Sequence, residues 1–256
     1  MKKWNYIVTI LLFILGVLCF IFFEAKPITV LQDALANKLL CGFLSRVGLS
    51  LLFIWLMFQF GNRRYMMFDR DFGKYLMWSL PCFMVAVINF PFSALINGTA
   101  SIVRGDLIGL YLLYVFGIAL LEELVFRGIL IVLLEDWLRN SKHKPLLTVV
   151  FGSLIFSLFH LTNLFVGADI GSTLLQCVYT FLIGAMLCTT VIKTRSLWLC
   201  CLIHFIFDVG GLLIIHIGSG SPWDTVFWIL TIVSGLLCAG HIIYSLIKLE
   251  KDYVSR

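Results

Sequence analysis

Apolar runs of about twenty residues recur along the whole chain, and no other feature narrows its possible folds so far. Inside a bilayer the backbone must satisfy its own hydrogen bonds, and a run of about twenty apolar residues does so by crossing as a helix. Eight such runs can be placed, at residues 6–23, 39–60, 75–95, 107–134, 146–165, 170–192, 196–217 and 223–249. Charged residues make up 13% of the chain, about half the roughly 25% of soluble domains, and the mean hydropathy is +1.03. The expected fold is therefore all-α, a polytopic integral membrane helical bundle of about eight transmembrane helices in the cell membrane. The connecting loops are short and no internal repeat is visible, so the chain reads as a single membrane domain over residues 1–256. Any function must lie within the bundle or at its faces.

The basic residues orient it. Lys2, Lys3, Arg63, Arg64, Arg70, Lys74, Arg139, Lys142, Lys144, Lys193, Arg195, Lys248, Lys251 and Arg256 fall on one side of the alternating spans, fourteen of the nineteen Lys and Arg. Only Lys26, Lys38 and Arg104 fall on the other, and by the positive-inside rule both termini are expected in the cytoplasm. The net charge of +5 is thus a matter of topology. No basic cluster with interleaved aromatics stands clear of the spans, so no nucleic-acid partner is expected. The first run, behind Met1-Lys-Lys, imitates a signal peptide. It exceeds the roughly 7–15 residues of a usual apolar core and no A-x-A site follows, so it is read as a retained span. Cys19, Cys41, Cys82, Cys177, Cys188, Cys200, Cys201 and Cys238 lie within or beside apolar runs without a C-x-x-C pair, and are read as buried thiols.

The fourth run breaks the pattern. Leu120-Leu-Glu-Glu-Leu-Val-Phe-Arg-Gly-Ile-Leu130 places Glu122, Glu123 and Arg127 where each charge costs roughly 2.5–3.5 kcal/mol on insertion scales. A lock between helices, an ion or proton path, or a catalytic site would each account for them. On a helix Glu123 and Arg127 are four residues apart with the acid first, the favourable order for an ion pair. Glu122 is turned about 100° away and is left to face something else. His160, with Asn163 less than a turn further on, lies in the fifth run; His204 and Asp208 share a face of the seventh. Counted from the cytoplasmic ends, Glu122, His160 and His204 lie roughly 12–21 Å deep, so they are expected to converge on a cavity open to the cytoplasm. His143, His216 and His241 read as interfacial or packing residues. Arg46, in the second run, is expected to snorkel to the outer interface about 10 Å away.

Three motifs now stand in order on successive polar-bearing spans: E-E-x-x-x-R (Glu122, Glu123, Arg127), F-x-x-x-H (Phe156, His160) and H-x-x-x-D (His204, Asp208). In this the chain resembles the CPBP family, the CAAX proteases and bacteriocin-processing enzymes also called Abi, which are intramembrane peptidases. The resemblance implies a catalytic core near 107–217, preceded by more variable spans in 1–106 and followed by the last span and tail, 218–256. It implies that Glu122 activates water with His160, that His204 and Asp208 stabilise the oxyanion or hold the site, and that Glu123, Arg127, Phe156 and Asn163 support it. Many relatives carry Asn at the place of Asp208; an ionised Asp cannot donate to an oxyanion, so here it would orient His204 or ligate a metal unless its surroundings keep it neutral.

Two routes fit these residues. In one, Glu122 is a general base for water and no cofactor is needed. In the other, His160, His204 and the Glu122 carboxylate hold Zn²⁺, as the label metalloprotease implies. Neither H-E-x-x-H nor a G-x-S-x-G elbow is present. The favoured function is an intramembrane endopeptidase, a hydrolase acting on a peptide or membrane-associated protein in the lipid bilayer, used in peptide maturation or bacteriocin self-immunity. The rivals are a non-catalytic immunity or binding protein and a proton-coupled transporter. Against transport, no inverted repeat or paired broken helices are visible.

Overall fold

The computed structural model describes residues 28–59, 65–66 and 71–255, with Val8, Leu11, Ile14 and Leu15. Apart from those four residues, the first run (6–23), and with it the expectation that it is a retained span, lies outside the described residues, as do Cys19 and the cations Lys2, Lys3, Lys26, Arg63, Arg64, Arg70 and Arg256. The chain is an all-α bundle. Six helical segments are long and apolar enough to cross a membrane: Ala34–Phe58, Leu80–Asn97, Lys144–Phe165, Ile170–Thr194, Leu197–Ile217 and Thr225–Val254.

In chain order the elements are α1 (Ala34–Gln59), α2 (Phe72–Trp78), α3 (Leu80–Ile88), α4 (Phe92–Asn97), β1 (Ala100–Ile102), α5 (Ile108–Glu123), a π-helical segment (Leu124–Leu130), α6 (Ile131–Trp137), α7 (Lys144–Phe159), a 3-10 segment (His160–Val166), α8 (Ile170–Thr194), α9 (Leu197–Ile217), β2 (Gly218–Gly220) and α10 (Thr225–Val254). The breaks follow local chemistry. Pro81 in the first turn of α3 and Pro91 before α4 divide the third run, because proline lacks the N–H that a continuing helix needs. Pro145 opens α7. Asp169, Ser196 and Asp224 cap α8, α9 and α10 by accepting from Ser172, Leu199 and Phe227 N–H.

The rod formed by α5, the π-helical segment and α6 is the centre of the bundle, packed against α1 and α9. The fourth run was expected as one regular helix over 107–134. The rod instead runs over 108–137 and widens to π geometry at Leu124, directly after the glutamate pair. A π turn spans five residues per hydrogen bond and shifts the side chains that follow it, a device found often at functional sites.

The two ends of the bundle hold together as the alternation of loops requires. At one end β1 pairs antiparallel with β2, Arg104 bridges Asp33 and Asp106 at 3.0 and 2.9 Å, and Asp224 accepts from Ser93 and Asn97. At the other, basic end Arg195 pairs with Glu135 at 2.8 Å, and both bond the Tyr65 hydroxyl. Arg195 is the non-glycine residue with positive φ, 54°, among the described residues; it makes the tight turn from α8 to α9. Nearby, Trp198 Nε1 donates to Met66 O, and Glu250 accepts from Leu146 N–H.

Arg46 departs from its expected snorkelling. It is 6% exposed, its Nη1 donates to Gly42 O at 2.9 Å, and its guanidinium lies 4.7 Å from the Tyr114 ring centroid. Gly42 and Gly117 let α1 and α5 approach so closely that Arg46 is sealed between them: a Cβ at Gly117 would meet Arg46 at 3.3 Å. His216 packs on Tyr111 and Tyr114, and His241 on Trp78. His143 faces Glu250 across a loop. The described cysteines are free thiols, mostly buried.

Candidate active site

The glutamate pair ends α5, where a hydrophobic core closes around Leu120 and Leu124. Glu123 and Arg127 are fully buried, and Arg127 Nη1 donates to Glu123 Oε1 at 2.9 Å, as the i, i+4 spacing requires. From α9, His204 Nδ1 lies 2.7 Å from the same Glu123 oxygen. A carboxylate accepts, so Nδ1 carries the proton and Nε2 is left for other work. That nitrogen faces two further carboxylates, Asp208 Oδ2 at 3.4 Å and Glu122 Oε2 at 3.8 Å. The glutamates do not divide their duties as the sequence spacing implied. Glu123 braces Arg127 and also fixes His204, because α9 packs against α5 at this level.

Phe156 joins the remaining parts. Its ring lies 4.1 Å beneath the Arg127 guanidinium, meets His160 edge-on at 4.9 Å, and stands 6.1 Å from the His204 ring. His160 caps α7, where its Nδ1 donates to Phe156 O at 2.9 Å. A carbonyl only accepts, so His160 also has Nδ1 engaged and Nε2 open. The side chains of Glu122 and Asp208 keep 23% and 16% exposure while Glu123 keeps none, so the cluster opens on the Glu122 side. Glu123 Oε2 and Arg127 Nε and Nη2 have no hydrogen-bond partner among the described residues. A purely structural lock would be expected to satisfy them.

The structure thus brings together Glu122, Glu123, Arg127, Phe156, His204 and Asp208, with His160 across the Phe156 ring. Asn163 stands apart from them and donates to Gln176 Oε1 at 2.8 Å. Among the described residues no three His, Cys, Asp or Glu side chains gather as a metal-ligating group.

Three supports of the site have no motif. Tyr111 donates to Val209 O at 2.7 Å and Asn89 Nδ2 donates to Phe207 O at 2.7 Å, so α9 is gripped on both sides of Asp208. Gln176 holds Asn163. The pair Gly210-Gly211 was the available signal for the first two, since glycine in an apolar helix marks close approach of another backbone. A Cβ on Gly210 would lie 2.5 Å from Phe90 N.

Residues 104–210 match the family of type II CAAX prenyl endopeptidases, Rce1-like. This agrees with the resemblance carried by the three motifs, and the Rce1-like stretch contains all eight residues singled out above. By its description the family is one of endopeptidases, and the apolar helices make the chain a multi-pass membrane protein. No curated protein and no solved structure matches the chain.

Proposed function

We propose that the chain is an intramembrane endopeptidase of the cell membrane, acting on a peptide or membrane-associated protein with Glu122 as general base. The observation that carries this reading is the His204 ring. It is oriented by buried Glu123 and turns Nε2 toward the partly open Glu122 and Asp208. In this mechanism Glu122 takes a proton from water, held with the open Nε2 of His160. The water oxygen forms a bond to the scissile carbonyl carbon. His204 donates from Nε2–H to the oxyanion when that nitrogen is protonated, and Asp208 positions the ring from one turn away. Collapse of the tetrahedral intermediate breaks the C–N bond, and the leaving amine takes the proton from Glu122.

His204 lies seven residues from Leu197 and thirteen from Ile217, about 10 and 20 Å at helical rise. The shorter path supports entry of substrate from the basic end, the side expected in the cytoplasm from the distribution of Lys and Arg. The test uses the full chain in detergent or nanodiscs with a quenched fluorescent farnesylated CAAX peptide as probe. Wild type should release fluorescence and Glu122→Gln should not; equal cleavage by both would overturn the assignment.

A further inference from the structure

At the basic end, away from the catalytic cluster, the ends of α6, α7, α8 and α10 enclose a cavity of about 460 Å³. Its wall includes Lys144, Lys193, Arg195, Thr148, Glu135 and Asp252. Arg195 and Glu135 neutralise each other at 2.8 Å. Lys144 and Lys193 have no ion-pair partner among the described residues, so two cations face the single carboxylate of Asp252. Thr148 supplies an independent sign. It is fully buried, yet its hydroxyl has no hydrogen-bond partner among the described residues. A helical threonine normally spends that hydroxyl on the carbonyl one turn back, as Thr180, Thr190 and Thr194 do here. The amino-terminal end of the sixteen-residue α7 opens on the same space and adds partial positive charge.

We propose that this cavity is an anion site that takes a phosphate group, either on an acidic phospholipid or as free phosphate. Topology alone asks for lysines at this end; it does not ask for two of them to line one cavity with an unsatisfied hydroxyl. Basic pockets between helix ends on the cytoplasmic side suit anionic headgroups, and the volume is that of a small-ligand site. Thr148 and His160 are twelve residues apart on one helical path, about 18 Å, so the site does not share residues with the proposed peptidase chemistry.

The experiment uses the full chain in an uncharged detergent, following the thermal midpoint by tryptophan fluorescence. The added probes are phosphatidylglycerol, phosphatidylcholine and sodium phosphate. Phosphatidylglycerol should raise the midpoint saturably by about 5 °C, with no saturable rise from phosphatidylcholine. Lys144→Gln/Lys193→Gln should abolish the shift, whereas Lys142→Gln/Lys248→Gln, exposed at the same end, should keep it. Thr148→Val, which keeps shape and removes the hydroxyl, should weaken the apparent affinity about fivefold and serves if the double lysine variant folds poorly. Glu122→Gln should respond as wild type, separating this site from the catalytic proposal. Equal protection by sodium phosphate assigns the site to the free anion. Equal protection by both lipids, or full protection of the Lys144→Gln/Lys193→Gln protein, overturns the site.

Discussion

Glu122 and Glu123 are neighbours in sequence and differ in what surrounds them, so their amide variants should part company. Glu122→Gln keeps the volume and touches a partly open face; cleavage should fall by about 10²–10⁴-fold, the usual worth of a positioned base, with unchanged membrane abundance. Glu123→Gln weakens the partner of a buried guanidinium, and breaking such a pair costs about 3–5 kcal/mol. Its abundance by quantitative immunoblot should fall together with its activity, and normal abundance would show that Arg127 has another counter-charge. The Glu123–Arg127 pair was legible because both residues lie four apart on one continuous helical rod. The bond from His204 to Glu123 was not, because it depends on the register between α5 and α9. The burial of Arg46 was not legible for the same kind of reason: its surroundings are set by Gly117 and Tyr114 on another helix.

At the level of elements, hydropathy sufficed for the long helices, and Pro81, Pro91 and Pro145 marked real breaks. The π-helical widening at Leu124 left no mark, since its seven residues include six apolar or glycine positions that suit an ordinary helix equally well. The approach of α9 to the break at Asn89 and Phe90 was only hinted at by Gly210-Gly211. It yields a sharp test. Gly210→Ala would push a methyl against the Phe90 backbone, which cannot rotate away, and should cost about 1–3 kcal/mol or more. It should also displace Asp208, two residues before it, so that cleavage falls further than abundance. Gly109→Ala, with open space at its Cβ, should be silent. Equal behaviour of the two variants in thermal unfolding would show that α9 is not gripped here.

The molecule as a whole is tied at both ends, and the end that carries the β1–β2 pair should be the acid-sensitive one. Asp33, Asp106 and Asp224 are held below the ordinary carboxyl value of 3.8: Asp33 by the Ala36 N–H and then Arg104, Asp106 by Arg104, and Asp224 by the Ser93 hydroxyl and then the Phe227 N–H. A carboxyl depressed on folding stabilises fully above its unfolded pKa, and that contribution is lost as pH falls through the folded value. Their contribution should therefore stay constant from pH 7 down to about 5 and fade below about 4. Asp224→Asn should flatten that acid limb in a thermal-midpoint profile; an unchanged limb would place the acid sensitivity elsewhere. Between the ends, Phe156 has a consequence in the language of energetic coupling. One ring that neither gives nor takes a proton touches Arg127, His160 and His204, so the two imidazoles share a mechanical coordinate although they belong to different helices. In unfolding free energy, a double-mutant cycle over His160→Ala and His204→Ala should return an interaction of about 0.5–3 kcal/mol. In a Phe156→Ala background it should vanish, leaving two histidines that respond as strangers.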